Sequence, residues 1–372
     1  MKVLYLTESL TIPGGRARFS RDLISVMARE QGVEPTILCA FPDPESDYPF
    51  VPQPVRLAWT EWWGKRMHLG AIQNLPRLGR FIKGQELIHV LAEPLATTAW
   101  LASSVFRRPY LISGLGTYAV EPFVLGRMRW LAARVFSRAK AVPCISAYTR
   151  SRLLSVCPSA PARALPIGHT PPACRPDWEA NPERPFFLTV GPLKTRKGQI
   201  HILKAFEKLA PKHPEVDWVV AGYSYDEKYA QWFPDQVARA GLSERVHFKG
   251  RVSEEVLQGL YQGCLFNVLT PVPDNHAFEG FGLTYLEAGF HCRPSIASLE
   301  CGASESIEDG VEGFLIPPGD EEALARAMDR LLADPALRHR MGQAAKTRAE
   351  RMTWSATGKN LARLYREVTG GA

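Results

Sequence analysis

The chain has 372 residues, of which 45% are hydrophobic and 22% charged, and its formal net charge is +7. This length exceeds one ordinary hydrophobic core and predicts two domains, while the composition is typical of a globular protein. No run of about 18 apolar residues occurs, so no transmembrane helix is predicted. The seven cysteines form no Cys-x-x-Cys pair, which favours reduced thiols in a cytoplasmic protein over a disulfide framework or a structural zinc.

The positive charge is concentrated in the first half of the chain. Residues 1–184 carry 23 Lys and Arg against 14 Asp and Glu, whereas residues 185–372 carry 22 against 24. This asymmetry predicts that the first half meets an anionic surface or acceptor. Nucleic acid is the obvious alternative partner. Because no helix-turn-helix, zinc or RNA-binding motif accompanies the charge, we favour an anionic surface or acceptor over nucleic acid.

The first predicted elements form a βαβ unit. Lys2–Thr7 alternates as a strand rather than a signal peptide, Arg16–Glu30 has apolar residues at helical spacing, and Pro35–Ala40 is a second strand. Gly14 and Gly15 lie at the strand-to-helix turn, where Rossmann-like domains bind phosphate. The turn lacks Gly-x-Gly-x-x-Gly, so a nicotinamide dehydrogenase is disfavoured. By itself, a Gly-Gly pair is more often a tight turn.

A less regular stretch between residues 41 and 83 is rich in tryptophan and cations. Trp62, Trp63, Lys65 and Arg66 lie at its centre. One interpretation is a surface that touches lipid headgroups or clamps an acceptor sugar. The other is that the tryptophans belong to the core and the cations surround them. We favour the second, because core packing is the commoner fate of aromatic side chains.

Strands and helices alternate through the rest of the first half. The predicted elements are strands at Glu86–Leu91, Pro109–Ser113 and Ala141–Ser146 and helices at Thr97–Phe106 and Arg127–Ala139. In the second of these helices, Trp130, Leu131 and Val135 follow helical spacing and are predicted to be core residues. Residues 169–184 contain closely spaced prolines without apolar periodicity, which is typical of a linker.

The same alternation resumes after the linker, which predicts a second domain with a parallel sheet. The predicted strands are Phe186–Val190, Val216–Gly222, Leu265–Thr270 and Pro294–Ala297, with a further strand and its loop at Val246–Val252. The predicted helices are Gln199–Leu209, Val256–Cys264, Glu321–Ala333 and Pro335–Arg351. The loop after the first of these strands contains Lys194, Arg196 and Lys197. Clustered cations before a helix are costly without an anion, and a helix N-terminus attracts one. The alternative is a solvated basic loop.

The most informative motif is Phe-Glu-Gly-Phe-Gly-Leu-Thr-Tyr-Leu-Glu at residues 278–287. Its glycines allow close approach of the backbone to a ligand, and the N–H groups of Phe281, Gly282 and Leu283 at a helix start suit a phosphate. Glu279 and Glu287 flank them. Carboxylates beside a phosphate would repel it, so they are predicted to face hydroxyl groups, as sugars offer. On spacing alone, a capped helix with two solvated acids is an equal alternative.

Two glutamates separated by seven residues around Phe-Gly-Leu resemble the signature of family 4 retaining glycosyltransferases, whose two Rossmann-like domains face each other across a cleft (the GT-B fold). That resemblance implies that Glu279 contacts the transferred sugar, that residues 281–283 hold sugar and diphosphate, and that Glu287 binds the ribose. Lys197 matches the family's diphosphate-binding lysine. Pro192 stands where the family has an arginine, and Arg196 is its expected replacement because guanidinium groups grip phosphate oxygens bidentately.

The resemblance extends over nearly the whole chain and implies further contacts. On the donor side it implies roles for Gly15, Gly191, Arg251 and Val252, the last two beside the nucleobase. On the acceptor side it implies roles for Gly14, Gly116, Thr117 and Ser146, although Ser146 also suits a plain helix cap. Leu115 stands where the family usually has the histidine of a His-Gly-Thr segment, so the chain departs from the family pattern on the acceptor side.

The prediction is therefore an α/β chain with two Rossmann-like domains facing each other across a cleft. Residues 1–168 form the acceptor-side domain, joined by a terminal helix at 354–372, residues 169–184 the linker, and residues 185–353 the nucleotide-sugar-binding domain. The resemblance implies retaining transfer of a sugar from a UDP- or GDP-linked donor to a hydroxyl group of a glycan or lipid-linked acceptor.

Neither a cofactor nor a metal is expected, and a peripheral contact with the inner face of an anionic membrane fits the basic half. A non-catalytic sugar-nucleotide-binding protein stays open as an alternative. So does another enzyme on the same plan, such as a nucleotide-sugar epimerase or a phosphorylase, although no lysine is marked for the pyridoxal phosphate of the latter.

Overall fold

The structure is a computed structural model that describes residues 1–11, 15–42, 49–50, 52–53, 55–59, 67–171, 184–224 and 226–370. The chain divides into two compact units. One consists of Met1–Gly168 together with Trp354–Ala372, and the other of His169–Thr353. Each unit is built on parallel strands with helices between them, so the predicted α/β class is confirmed.

The first unit contains a four-stranded parallel sheet with the order β2-β1-β3-β4. Its strands are β1 (Lys2–Thr7), β2 (Glu34–Cys39), β3 (Leu87–Val90) and β4 (Tyr110–Ile112). Two further short strands, β5 (Val142–Cys144) and β6 (Ala162–Ala164), pair with each other, and single bridges place β5 beside β4. The helices are α1 (Gly15–Gln31), α2 (Met67–Gly79), α3 (Ala96–Phe106), α4 (Glu121–Val124), α5 (Arg129–Arg138) and α6 (Ala147–Val156).

The second unit contains a six-stranded parallel sheet with the order β12-β11-β10-β7-β8-β9. Its strands are β7 (Phe186–Val190), β8 (Asp217–Ala221), β9 (Val246–Gly250), β10 (Asn267–Leu269), β11 (Ser295–Ser298) and β12 (Gly313–Ile316). Its helices are α7 (Gln199–Leu209), α8 (Glu227–Arg239), α9 (Glu254–Gly263), α10 (Leu283–Phe290), α11 (Glu321–Ala333) and α12 (Pro335–Arg351). The last helix, α13 (Trp354–Thr369), belongs to the first unit.

Helix α13 joins the first unit through its core. The Tyr365 hydroxyl lies 3.2 Å from that of Tyr5 on β1 and 2.6 Å from Nδ1 of His89 on β3. Burial lowers the pKa of His89 to about 3, so its imidazole is neutral and shares these hydrogen bonds without a charge. The indole of Trp354 lies 5.8 Å from the ring of Phe19 on α1. These contacts explain why the chain's end packs with its beginning.

Aromatic packing fills the centre of the second unit. The Phe187 ring on β7 stacks on Trp218 of β8 and on Phe266, with ring centroids 5.8 and 5.4 Å apart. Phe206 of α7 meets Phe187 edge-on. Buried rings of this size dominate the hydrophobic free energy of a core, so β7 is anchored at the middle of its sheet.

Several sequence predictions differ from the structure. Trp130 was expected in the core, but 66% of its surface is exposed, because helix α5 turns that face away from the sheet while Leu131 and Val135 are buried. Helix α2 and helix α8, each with an internal proline, were not predicted. Gly14, Trp62, Trp63, Lys65 and Arg66 lie outside the described residues, as does most of the linker. Within the described residues, no helix is long and apolar enough to cross a membrane.

Candidate active site

The strand order of the second sheet creates a break in direction between β7 and β10. From β7 the chain proceeds to β8 and β9 on one side, and from β10 it proceeds to β11 and β12 on the other. The loops that leave the carboxyl ends of these two neighbouring strands therefore diverge and leave a crevice. In parallel α/β sheets ligands bind at such a point. The two loops here are residues 191–198 and 270–282.

All three predicted catalytic residues meet at this crevice. The Lys197 ammonium lies 2.5 Å from Oε2 of Glu279, and the Arg196 guanidinium donates to the same oxygen at 3.1 Å. All three side chains are largely buried. Two cations on one carboxylate oxygen form an ion cluster, which leaves positive charge in excess.

The electrostatics of Glu279 follow from this cluster. Burial by itself would raise the pKa of the Glu279 carboxyl, but Lys197 and Arg196 outweigh it and hold the pKa at about 2. Glu279 is thus a carboxylate at neutral pH. In the same loop Lys194 is half-buried, and burial, followed by the charges of Arg196 and Lys197, lowers its pKa to about 8. The crevice therefore collects three basic side chains against one acid.

Backbone geometry at two glycines brings the loops and a helix start together. Gly198 precedes α7 with φ of 74°, and a Cβ there would lie 2.0 Å from the carbonyl oxygen of Thr270 in the opposite loop. Gly282 precedes α10 with φ of 83°, where a Cβ would collide with the Tyr285 ring. Only glycine fits such positions without strain. In the first turn of α10 the Tyr285 N–H donates to the Gly282 carbonyl at 3.1 Å. The N–H groups at the very start of a helix have no intrahelical acceptor and are donors that an anion can use.

Glu287 lies on helix α10, apart from the ion cluster. Its side chain is buried, Oε2 accepts a hydrogen bond from the Tyr261 hydroxyl at 2.8 Å, and Oε1 lies 3.1 Å from Nε2 of His169. Sequence reasoning missed both partners. His169 was assigned to the linker, and Tyr261 carries no signal beyond the apolar face of α9. Glu287 is thus held by groups 118 and 26 residues away.

The predicted base-side residues follow β9. Arg251 is exposed, with its guanidinium 5.8 Å from the ring centre of Tyr223. Val252 packs against the hydrophobic cluster that contains Tyr261, the partner of Glu287. Gly191, with φ of 150°, lies beside the Lys197 side chain. These donor-side residues thus lie on the loops after β7 and β9, and Tyr223, the ring beside Arg251, follows β8 between them.

The predicted acceptor-side residues that the structure describes in the first unit lie at helix and turn starts. Ser146 caps α6, accepting from the Thr149 N–H at 2.9 Å, as the cap interpretation expects. Gly116 is buried with φ of 66° and opens a 3-10 turn that includes Thr117. Gly15 is exposed at the first position of α1. Among the described residues, no group of three His, Cys, Asp or Glu side chains is arranged to hold a metal ion.

The fold and this site define a two-unit α/β protein whose second unit brings clustered basic side chains and the start of a helix together at a sheet switch point. Comparison with known families agrees. The model of glycosyl transferases group 1 matches residues 172–348, and that of the glycosyl transferase 4-like domain matches residues 14–168. The chain belongs to this family, the family 4 glycosyltransferases with the GT-B fold, and is a glycosyltransferase.

Individual relatives support the assignment. The GDP-mannose-dependent alpha-(1-6)-phosphatidylinositol monomannoside mannosyltransferase of Mycolicibacterium smegmatis is 30% identical over 73% of this chain and 74% of that protein. The alpha-D-kanosaminyltransferase of Streptomyces kanamyceticus is 32% identical over 50% of this chain, but the match spans only 46% of that protein. The structure of Anabaena HepE in complex with UDP and glucose has a TM-score of 0.81 at 19% identity, over 98% of both chains.

Proposed function

We propose that this chain transfers a sugar, with retention of its anomeric configuration, from a UDP- or GDP-linked donor to a hydroxyl group of a glycan or lipid-linked acceptor. The observation that carries the proposal is the ion cluster of Glu279, Arg196 and Lys197 at the β7/β10 switch point, beside the start of α10. A diphosphate is the ligand that matches clustered cations next to a helix N-terminus.

Donor binding exchanges the partners of this cluster. The diphosphate takes the place of the Glu279 carboxylate beside Arg196 and Lys197, and Glu279 turns to the hydroxyl groups of the sugar. As the bond between sugar and diphosphate breaks, negative charge grows on the leaving oxygen. Fixed cations and oriented N–H groups stabilise that charge more than they stabilise the intact donor, which lowers the barrier.

Glu287 is proposed to bind the ribose. Its two oxygens meet the Tyr261 hydroxyl and His169 Nε2, and these contacts hold the carboxyl group in one orientation on α10, where it can be presented to the ribose hydroxyl groups. The names of the relatives fit this picture. One mannosyltransferase is named for GDP-mannose and for a phosphatidylinositol-linked mannoside, and HepE was solved with UDP and glucose.

Neither a metal nor another cofactor takes part in this scheme. Arg196 and Lys197 supply the positive charge that a divalent cation supplies in metal-dependent transferases. Activity should therefore persist in excess EDTA. An EDTA-sensitive reaction restored by Mg²⁺ or Mn²⁺ would contradict this part of the proposal.

The test of the proposed function is release of UDP or GDP from a panel of nucleotide-sugars by the purified chain, with and without glycan acceptors. We expect turnover with one donor and its loss in Glu279→Gln. The matched control is Glu321→Gln, because Glu321 also pairs with two basic groups, His201 at 3.0 Å and Lys204 at 2.9 Å, but on α11 outside the crevice. Nucleotide binding without any turnover would instead indicate a non-catalytic binding protein.

A peripheral contact with an anionic membrane is also proposed, through the surface formed by Val124, Leu125, Arg127, Arg129 and Trp130. All five side chains are exposed. From residue 122 to residue 171 the chain has eight Lys and Arg and no Asp or Glu. An exposed tryptophan and aliphatic side chains among arginines suit the interface of an anionic bilayer, where rings insert and cations meet headgroups.

Co-sedimentation with phosphatidylglycerol vesicles tests this contact. We expect binding that Trp130→Ala and Arg127→Gln/Arg129→Gln each weaken severalfold and that phosphatidylcholine vesicles do not support. The control is Trp232→Ala, which removes an exposed tryptophan from helix α8 of the other unit. Equal binding to both lipids, or tighter binding to single-stranded RNA than to vesicles, would overturn the contact.

A further inference from the structure

The first unit has a switch point of its own, and polar side chains gather there. From β1 the chain proceeds to β2 on one side, and β3 lies on the other side of β1. Glu8 directly follows β1, and Glu93 follows β3 at the start of a 3-10 turn. Parallel sheets bind ligands at this kind of place. Neither glutamate has a role in the donor site.

Glu93 is the unusual member of this group. It is fully buried, Oε1 accepts the N–H of Leu115 at 2.8 Å, and Oε2 has no hydrogen-bond partner among the residues that the structure describes. Burial raises the pKa of Glu93 to about 7, although the charge of Arg16 opposes that rise. A buried carboxyl oxygen without a partner costs stability, so packing alone does not account for a glutamate here.

Arg16 connects Glu93 to the surface. Its guanidinium pairs with Glu8 at 2.8 Å and lies over the Tyr118 ring, 4.1 Å from the ring centre. The Tyr118 side chain is 38% exposed and belongs to the 3-10 turn that begins one residue after Leu115. Glu93 thus contacts Leu115 through a hydrogen bond from the Leu115 N–H. It interacts electrostatically with Arg16, which in turn packs on Tyr118, three residues after Leu115.

The charge of this cluster differs from that of its surroundings. Arg16 is the cation that faces Glu93, whereas Glu8 and Glu121 are acids in the same neighbourhood, and the nearby Cys144 thiol is kept neutral because burial raises its pKa to about 12. The first half of the chain is basic, but the cluster of Arg16 with Glu8, Glu93 and Glu121 carries no net positive charge. Carboxylates, a paired guanidinium and an exposed tyrosine ring suit a neutral ligand rich in hydroxyl groups better than a phosphorylated one.

We propose that Arg16 and Tyr118 form a subsite for the neutral, hydroxyl-rich part of the acceptor, and that Glu93 is the positioning residue that fixes both. The proposal rests on the proposed function, because it names the acceptor class of the same transfer. Leu115 stands where the family usually has a histidine, so that position has no polar side chain. The Glu93 carboxyl group, which accepts the Leu115 N–H, supplies a polar group there.

The experiment measures binding of a defined probe by saturation-transfer NMR, without any turnover. The probes are a panel of neutral octyl glycosides (α-mannoside, β-glucoside and β-galactoside) and, for comparison, glucose 6-phosphate. Wild type should bind at least one octyl glycoside, and Glu93→Gln and Tyr118→Leu should each weaken that binding about tenfold or more. Glucose 6-phosphate should not compete.

Glu86→Gln is the matched control for Glu93→Gln. Glu86 precedes β3 as Glu93 follows it, and its carboxylate likewise accepts a backbone N–H, that of Lys2 at 2.6 Å. We expect Glu86→Gln to leave glycoside binding unchanged. A pH series separates positioning from packing, because wild-type affinity should rise as the pH passes through about 7, where the Glu93 carboxylate forms and attracts Arg16, whereas Glu93→Gln should be insensitive to pH.

Three results would overturn the proposal. These are wild type that binds no neutral glycoside, wild-type affinity retained in both Glu93→Gln and Tyr118→Leu, and equal losses in Glu86→Gln and Glu93→Gln. If Glu93→Gln does not fold, Tyr118→Leu at the exposed ring decides. Failure of the proposed function would be recognised separately, as the absence of any thermal shift of wild type with UDP or GDP.

Discussion

Replacement of Glu279 by glutamine separates the two tasks that the structure gives this residue. In the structure, the carboxylate is the shared partner of Arg196 and Lys197. Its pKa is held at about 2 in the folded chain against an ordinary value of 4.5. At 1.36 kcal/mol per pKa unit, the ionised form contributes about 3 kcal/mol to stability at neutral pH.

Glu279→Gln should therefore lose about 3 kcal/mol, which for a unit of this size lowers Tm by roughly 6–12 °C. Because the folded pKa is depressed, this contribution is complete above pH 4.5 and disappears as the pH falls through about 2. The difference between wild type and Glu279→Gln should thus shrink in acid. Differential scanning calorimetry of both proteins, with Glu321→Gln beside them, measures the difference.

Nucleotide should rescue the variant. In Glu279→Gln the cations have no carboxylate to exchange, so UDP or GDP should bind at least as tightly as in wild type while transfer is lost. At one hundred times its Kd, nucleotide stabilises by about 2.7 kcal/mol, enough to restore most of the lost Tm. A Tm equal to that of wild type, or nucleotide binding lost as severely as activity, would refute the reasoning.

Three further predictions concern other single residues. Glu287→Ala should weaken UDP or GDP binding by about 1.5–3 kcal/mol in calorimetry, through lost charge-assisted hydrogen bonds, and unchanged affinity would remove its ribose role. Arg196→Ala should lower turnover by about a hundredfold, with Lys194→Ala nearly neutral, and the reverse order would assign the diphosphate to Lys194. Glu93 has a raised folded pKa, so its stability contribution is complete below pH 4.5 and lost as the pH rises through about 7. Glu93→Gln should gain Tm over wild type across that interval, and parallel pH–Tm curves would contradict this.

Short-range sequence patterns predict much of the secondary structure of this chain. Helices α7, α11 and α12 have the predicted bounds, because their apolar spacing is regular and Asp320 and Asp334 cap α11 and α12 from the preceding residue. Trp130 shows the limit of that method. Helical spacing identifies which residues share a face, but whether a neighbouring element covers that face depends on the path of the rest of the chain.

The sequence by itself determined the alternation of strands and helices, the cation-rich loop and the paired glutamates, since each is a property of neighbouring residues. Only the tertiary structure decided that Glu279 lies between Arg196 and Lys197, 83 and 82 residues away, and that Leu115 donates to Glu93. The physical reason is strand order. Which loops meet at the edge of a parallel sheet follows from where each strand is inserted, and the insertion of β10 beside β7, and of β3 beside β1, is settled by packing of the whole unit.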